Sequence, residues 1–210
     1  MQSGSSGTRS SGTSAVGEGR IGSMDAITVR PYRKEDIGGL RRIYFELYDE
    51  RDAGEPIGIH LFTARPTLED EGAWYERQEQ RIDAGDLLFL VAEVGGEVVG
   101  SCSIGRAGPT ALSEAGHVGE LGILVRRDMR GKGVGSALLE RSLAEARAKF
   151  EIIYLSVFSN NVRARKLYER FGFTLCGQLP RFVKRGNQYF DGERMFLDLS
   201  PPPPGTKANR

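Results

Sequence analysis

The residues from Val118 to Lys149 have the types and spacing of an anion-binding site. An apolar run, VGELGILV, is followed by the basic, glycine-rich segment RRDMRGKGVGS and then by the amphipathic run ALLERSLAEARAK. This order predicts a strand, a tight turn and a helix. A helix that begins among glycines leaves its first backbone N–H groups unhindered, and these donors attract anions together with the positive end of the helix dipole. The segment therefore predicts a site for a phosphate or pyrophosphate, beside four cations: Arg126, Arg127, Arg130 and Lys132.

Two well-known phosphate loops fit this turn poorly. The P-loop of nucleoside triphosphatases needs Gly-Lys followed directly by Ser or Thr, whereas Lys132 is followed by Gly133. The dinucleotide fingerprint Gly-x-Gly-x-x-Gly would need a third glycine where Ser136 stands. Glu151 does lie about 20 residues further on, near where a ribose-binding acid is expected. A nicotinamide-nucleotide enzyme is therefore kept as a lesser alternative.

A third loop fits better, and a second motif further along the chain supports it. The segment RGKGVG, from Arg130 to Gly135, resembles the acyl-CoA pyrophosphate loop Arg-x-x-Gly-x-Gly of the GNAT superfamily of N-acetyltransferases. The segment NVRARKLYERFGF, from Asn161 to Phe173, resembles the second motif of that family at the expected distance. The resemblance extends from about Ile27 to Leu199, with the first third matching only in element order and apolar pattern.

The resemblance implies that acetyl-CoA binds as a co-substrate in a gap in the sheet. In the family this gap opens between the strand before the glycine turn and the strand after the helix, here 118–125 and 152–158. The pantetheine arm would pair with backbone groups of the first strand, and Asn161 matches a position that bonds the pantetheine amides besides capping its helix. The implied co-substrate contacts are Ile123, Leu124, Val125, Arg130, Gly131, Lys132, Gly133, Val134, Gly135, Ser136 and Asn161.

The resemblance also implies a general acid and a base. Tyr168 matches the family position that protonates the departing CoA thiolate, and its alternative role is a place on an apolar helix face. Glu120 lies at a position similar to the glutamate that many members use as a base, often through water. The alternative for Glu120 is an inward glutamate held by positive charge. The implied mechanism is direct attack of an amine on the thioester, with no metal and no covalent enzyme intermediate.

The identity of the acceptor decides how much a base contributes. A lysine amine, with a pKa of about 10.4, costs roughly 4 kcal/mol to deprotonate near neutral pH, whereas an α-amine costs under about 1 kcal/mol. N-terminal acetyltransferases of ribosomal proteins carry a catalytic glutamate where this chain has Ser156, which argues against that assignment. Small amines, amino acids and peptide or protein amines all stay open as acceptors.

A non-catalytic acyl-CoA-binding sensor is the alternative function.

The order of predicted elements, β-α-α-β-β-β-α-β-α-β-β, indicates a mixed α/β fold. By resemblance this is the GNAT or acyl-CoA N-acyltransferase fold, in which a mixed, mostly antiparallel central sheet is splayed between two parallel strands and flanked by helices. Local signals include a hairpin across Gly95-Gly96 and a helix capping box that begins at Thr67. We predict a disordered leader or tag at 1–25, an N-acetyltransferase domain at 26–199 and a proline-rich disordered tail at 200–210.

Composition limits the partners and the setting of the protein. The 210 residues carry a formal net charge of +1, so neither nucleic acid nor a membrane is an expected partner. No apolar run approaches the roughly 18–20 residues of a membrane span, and no signal peptide is recognisable. Cys102 and Cys176 lie in apolar segments and are expected to pack as reduced thiols, which indicates the cytoplasm. Dimers are common for this fold, so a homodimer is one expectation for the assembly.

Two groups of side chains outside the motifs are also assigned. Trp74 and Tyr75 are expected in the core. Several acidic residues at the end of the first predicted helix lie where the family places its acceptor site, and a solvated helix face is the preferred interpretation. These acidic residues, together with one tyrosine among them, are Glu46, Tyr48, Asp49, Glu50 and Glu55.

Overall fold

The computed structural model describes residues 26–55, 57, 59, 61–109 and 111–200. The predicted leader at 1–25 and all of the predicted tail except Ser200 lie outside these residues. The strands of the described part are β1 (Thr28–Pro31), β2 (Leu87–Val94), β3 (Glu97–Arg106), β4 (Val118–Val125), β5 (Ile152–Phe158), β6 (Thr174–Arg185) and β7 (Gln188–Asp198). Its α-helices are α1 (Ile37–Asp52), α2 (Leu68–Asp83), α3 (Val134–Ala146) and α4 (Val162–Arg170).

The strands form one sheet in the order β1-β2-β3-β4-β5-β7-β6. Every neighbouring pair is antiparallel except β4 and β5, which are parallel and are joined through α3. The predicted mixed and mostly antiparallel sheet is therefore confirmed. No helix in the described ranges is both long and apolar enough to cross a bilayer.

The parallel pair β4 and β5 separates after three positions. Val118 lies opposite Ile152, and the last paired residues are Glu120 and Tyr154. Beyond this point β4 continues to Val125 and β5 continues to the end of its own range without pairing to each other. The sheet is thus splayed between its two parallel strands, as predicted, and the gap lies at their carboxyl ends.

Apolar side chains cover both faces of the sheet. The larger core, which includes Leu138 and Leu139 of α3 and Ile153 of β5, has no exposed surface at these three positions. On the opposite face, Leu40 of α1 and Tyr75 of α2 pack in a smaller cluster against strand β2. Packing of the helices on the two faces removes apolar surface of the strands from water. This burial stabilises the positions of the splayed strands.

Two local predictions from the sequence are confirmed, the hairpin between β2 and β3 and the capping box at the start of α2. Gly95 and Gly96 both have positive φ, at 58° and 81°, as a tight turn between β2 and β3 requires. The Thr67 hydroxyl oxygen accepts a hydrogen bond from the Asp70 N–H at 3.1 Å, and the Asp70 carboxylate accepts one from the Thr67 N–H at 2.9 Å. This reciprocal pair is the predicted capping box.

Two expectations about burial are wrong. Trp74 is 43% exposed, whereas its neighbour Tyr75 is buried, because adjacent helical residues point about 100° apart and only one of them faces the core. Cys176 is exposed on β6, whereas Cys102 is fully buried, and both are free thiols. Strand β6 lies at the edge of the sheet and is exposed along most of its length, so an apolar sequence does not imply burial there.

Candidate active site

The gap between β4 and β5 opens onto a cleft of about 680 Å³. The walls of the cleft come from α1 and the segment after it, from β4, from the glycine turn and from α4. All predicted co-substrate contacts line the cleft except Lys132 and Val134. Val134 is fully buried in the core beneath the turn, so only its backbone is able to reach a ligand. Tyr168 also lines the cleft, whereas Glu120 does not.

The glycine turn leaves the start of α3 open. Gly131 and Gly133 have φ values of 79° and 92°, in the left-handed region that residues with a Cβ avoid. Gly133 is the N-cap of α3 and provides no side-chain cap, so the first N–H groups of the helix stay available. A Cβ at Gly135 would lie 3.1 Å from Cδ2 of Leu167. The turn therefore leaves the first N–H donors of α3 uncapped at the cleft, an arrangement that fits an anionic group of acetyl-CoA.

The register of β4 decides which of its backbone groups face the gap. Ala107 N–H donates to Val118 O and Arg126 N–H donates to Val99 O, both at 2.9 Å, and the β3–β4 register is continuous between these bonds. Because antiparallel pairing engages every second residue, the groups of Leu124 point to β3. Those of Ile123 and Val125 point to the gap. The register therefore supports the predicted backbone contacts at Ile123 and Val125, but not at Leu124, although Leu124 lines the cleft.

The motif arginine is held by a carboxylate of α1. Arg130 donates to both carboxylate oxygens of Glu50, at 2.7 and 2.8 Å, and its Nε donates to Val125 O at 3.0 Å. Glu50 is 4% exposed, so it is not part of a solvated helix face. Arg127 forms a more exposed ion pair, through a single nitrogen, with Glu55 in the segment after α1. Glu50 and Glu55 thus bind the arginines beside the glycine turn, and Tyr48 is fully buried. This corrects the preferred interpretation for these three residues, whereas Asp49 is exposed as that interpretation predicts.

The structure places a different arginine beside the turn. Arg163, in the first turn of α4, lines the cleft, and a Cβ added to Gly131 would collide with its Nη2. Its guanidinium forms no ion pair with any residue in the described ranges. Sequence reasoning missed this residue, although its position two residues after Asn161 in the second motif was available as a signal.

Asn161 has the capping role that its position predicts. Its Oδ1 accepts a hydrogen bond from the Ala164 N–H at 3.2 Å, which satisfies one of the free donors of α4. The residue also lines the cleft. Its side-chain NH₂ donates to no described residue and so stays available to a carbonyl in the cleft.

Tyr168 is 6% exposed and meets the cleft from α4. Its ring packs beside Phe173, with the ring centroids 5.8 Å apart. Burial raises the pKa of the Tyr168 phenol, and the neighbouring Cys102 raises it further. The raised pKa keeps the hydroxyl protonated at neutral pH, and because it bonds to no other described residue, it is available to a group in the cleft.

Glu120 lies on the opposite face of the sheet, at the last position where β4 and β5 still pair. Strand alternation directs its exposed side chain away from α3, because its neighbour Leu121 belongs to the core under that helix. The pKa of Tyr154 is raised by burial and by the Glu120 carboxylate, to which its hydroxyl donates. The structure thus brings Glu120 to Tyr154, a partner that the sequence did not suggest, and separates it from Tyr168.

Three features lie together in this protein: the gap between β4 and β5, the uncapped start of α3 at the glycine turn, and the buried Tyr168. Together they indicate a transferase whose donor carries a phosphate. Residues 40–173 match the acetyltransferase (GNAT) family, and the chain belongs to this family. It is 30% identical over 176 residues to the L-methionine sulfoximine/L-methionine sulfone acetyltransferase of Pseudomonas aeruginosa, covering 83% of this chain and 95% of that relative. It is 31% identical over 174 residues to the L-amino acid N-acetyltransferase AaaT of Escherichia coli, covering 82% and 98%.

Solved structures agree with this assignment. The acetyltransferase yncA from Salmonella typhimurium, determined with its cofactor acetyl-CoA, superposes with a TM-score of 0.70 at 26% identity, covering 84% of this chain and 95% of that one. The ribosomal-protein-alanine N-acetyltransferase from Brucella melitensis has a TM-score of 0.68 at 27% identity, covering 81% and 99%. The protein is accordingly an acetyl-CoA-dependent N-acetyltransferase.

Proposed function

We propose that the protein acetylates the primary amine of a free amino acid or of a closely related small amine. The observation that carries the transfer chemistry is the buried Tyr168, which lines the cleft beside the open end of β4. The two relatives described above are named for amino acid or methionine sulfoximine acetylation, which favours that acceptor class over peptides. Ser156 favours it as well, because ribosomal-protein acetyltransferases carry a glutamate at the matching position.

The chain holds its donor through backbone groups and one amide. The N–H groups between Gly131 and Ser136 would bind the pyrophosphate, and each charge-assisted bond contributes roughly 1.5–3 kcal/mol. The inward-facing groups of Ile123 and Val125 would pair with the pantetheine arm as an added strand does. The NH₂ of Asn161 would reach one of its carbonyls. The thioester held in this way supplies an activated acetyl group.

Tyr168 acts as the general acid in this proposal. Its raised pKa keeps the phenol protonated through neutral pH, so the hydroxyl donates its proton to the CoA sulfur as the C–S bond breaks. The amine attacks the thioester carbonyl directly, and CoA leaves as the thiol.

Glu120 accepts the proton that the amine loses, directly or through water, from the face opposite Tyr168. This role is supported by the exposure of the Glu120 carboxylate and by its position at the last pair of β4 and β5, next to the gap, where the Tyr154 hydroxyl binds it. The α-amine of a free amino acid lies beside its own carboxylate and is therefore more basic than a chain N-terminus, whose pKa is about 7.7–8. It is mostly protonated near pH 7.5, so a base such as Glu120 contributes to its deprotonation, and a lysine side chain depends on a base at least as much.

An acceptor screen with acetyl-CoA tests the proposal. The panel contains methionine sulfoximine, methionine sulfone, the common amino acids, spermidine and a peptide with a free N-terminus, with N-acetylmethionine as the blocked control. Release of CoA thiol with free amino acids or their sulfone and sulfoximine analogues, and none with the control, supports the proposal. Turnover of the peptide or of spermidine alone would refute the acceptor class.

The same assay distinguishes the alternative functions. Tight CoA binding with no turnover of any amine would support a sensor instead of an enzyme. Thermal stabilisation by NAD and not by CoA would contradict the donor assignment itself.

A further inference from the structure

We propose that Arg163, and not the motif arginine Arg130, is the cation that faces the pyrophosphate of bound acetyl-CoA. This inference rests on the proposed donor site and names a side chain of that site. It follows from which cations near the glycine turn are already paired and which one is left.

The cations that the sequence places before the glycines are mostly paired. Arg130 gives both of its terminal nitrogens to Glu50 and its Nε to Val125 O. Arg126 binds Glu97 and Asp128 at 2.8 and 2.7 Å, and Arg127 binds Glu55. The charge of each of these arginines is already offset by a carboxylate, which would compete with a phosphate for it. The fourth cation, Lys132, is exposed and does not line the cleft.

Arg163 meets the conditions that the others do not. Its guanidinium stands against Gly131, so close that a Cβ at that glycine would collide with Nη2. It lines the cleft and is paired with no carboxylate among the described residues. Its charge therefore lies beside the glycine turn whose N–H groups would bind a pyrophosphate, with no competing carboxylate from the described part of the chain.

The position of Arg163 carries a cost that an anion would offset. Helices α3 and α4 both begin at the cleft, and neither has an acidic residue in its first turn. A cation in the first turn of a helix is repelled by the positive end of the helix dipole, an unfavourable interaction of a few tenths of a kcal/mol or more. The N-termini of α3 and α4 and the guanidinium of Arg163 thus give the cleft a positive electrostatic potential. A bound pyrophosphate would offset the repulsion between them.

A second arginine of α4 offers an internal comparison. Arg170 also lines the cleft, but it lies seven residues further along the helix, roughly 10 Å from Arg163. It is therefore placed further from the glycine turn than Arg163. A pyrophosphate held by the turn should depend on Arg163 and much less on Arg170.

Calorimetric binding with three ligands tests the inference without relying on catalysis. The ligands are CoA, 3′-dephospho-CoA and pantetheine, which differ in the phosphates they carry. The proteins are wild type, Arg163→Ala, Arg163→Lys, Arg170→Ala and Lys166→Ala. Lys166 is an exposed cation of the same helix that does not line the cleft, so its removal is the matched control.

We expect Arg163→Ala to weaken the binding of CoA and of 3′-dephospho-CoA about tenfold and to leave pantetheine binding unchanged. Arg163→Lys should restore part of the loss, and Lys166→Ala should change none of the three affinities by more than about twofold. The salt dependence of CoA binding should also be shallower in Arg163→Ala, since one ionic contact is removed.

Other outcomes would overturn the inference. An equal loss for pantetheine would show that Arg163 acts only through the structure, and a loss for CoA alone would place it at the 3′-phosphate. Unchanged CoA binding in Arg163→Ala, with intact binding by the wild type, would refute this residue while leaving the proposed function standing. A wild-type protein that binds no CoA would instead contradict the proposed donor site as a whole.

Discussion

Arg130 and Glu50 lie 80 residues apart in the chain, yet the guanidinium of one donates to both carboxylate oxygens of the other at 2.7 and 2.8 Å. The same guanidinium donates to Val125 O at the end of β4. One side chain therefore connects α1, the open edge of the sheet and the glycine turn. The geometry of the proposed donor site thus depends on α1, a helix distant from the glycine turn in the chain.

Breaking this bridge should destabilise the fold and weaken donor binding together. Arg130→Ala leaves the nearly buried Glu50 unpaired, so the free energy of unfolding should fall by about 3 kcal/mol. Affinity should fall for CoA and for pantetheine alike, because Val125 lies where the pantetheine arm would pair. Urea denaturation and calorimetry measure the two effects.

The control for this prediction is Glu55→Gln, which removes a more exposed pair with Arg127 and should cost less than about 1 kcal/mol. A stable Arg130→Ala protein that loses affinity only for phosphate-bearing ligands would show that Arg130 is the phosphate ligand after all. That result would also contradict the role inferred for Arg163.

Tyr168→Phe should lower kcat by about 100-fold, within the usual range for loss of a general acid, and should leave the Kd of CoA unchanged. The reason is that the hydroxyl is needed when the thiolate leaves and not when the donor binds. The rate of the wild type should not fall through ionisation of Tyr168 below about pH 10, because burial raises its pKa above the usual value of about 10.

Tyr75→Phe is the matched control for Tyr168→Phe, since Tyr75 is equally buried but packs on the other side of the sheet. It should leave kcat unchanged. Equal losses of kcat and of CoA affinity in Tyr168→Phe would refute the acid role and indicate a packing role instead.

Gly133→Ala should lower the free energy of unfolding by about 1–2 kcal/mol, because an alanine at a φ of 92° is strained. Space does not oppose the substitution, since the nearest atom to the new Cβ is Cδ1 of Ile27 at 3.7 Å. The strain would turn the first N–H groups of α3, so CoA affinity should fall as well. Thermal unfolding and CoA titration test both effects.

Gly38→Ala provides the comparison for Gly133→Ala. Gly38 is exposed in α1, has no positive φ, and a Cβ there would meet nothing within 4 Å. This substitution should stabilise the protein by up to about 1 kcal/mol. If Gly133→Ala raised the free energy of unfolding as Gly38→Ala does, the left-handed conformation at Gly133 would not be needed for the stability of the turn.

The elements that the sequence predicted well depend on contacts between near neighbours. The start of α3 at the glycine turn and the capping box at Thr67 involve residues within one helical turn of each other. The residues it missed depend on contacts between distant elements. The pairing of Arg130 with Glu50 leaves no local pattern, and the position of Arg163 in the second motif does not by itself show that it approaches Gly131.

The register of the strands accounts for the remaining differences. The sequence placed Leu124 and Glu120 on the correct strand, but one strand alone does not show which backbone groups face its neighbour. The continuous register with β3 turns the groups of Leu124 away from the gap. The short pairing with β5 places Glu120 beside Tyr154. Both results required the partner strands.

The buried thiol of Cys102 should make the protein less stable as the pH rises above about 8.5. Burial raises the pKa of this thiol to about 12, whereas in the unfolded chain it loses its proton near pH 8.5. Between these values the unfolded state binds fewer protons than the folded state, so the free energy of unfolding falls with pH, by up to about 1.4 kcal/mol per unit. Cys102→Ala removes this contribution but leaves a small cavity at every pH. In urea titrations, the difference in the free energy of unfolding between wild type and Cys102→Ala should therefore narrow between pH 8.5 and 10. The control is Cys176→Ala, which removes an exposed thiol and should lose stability with pH as the wild type does. If the stability of Cys102→Ala also fell with pH as that of the wild type does, the buried thiol would not control the alkaline loss of stability.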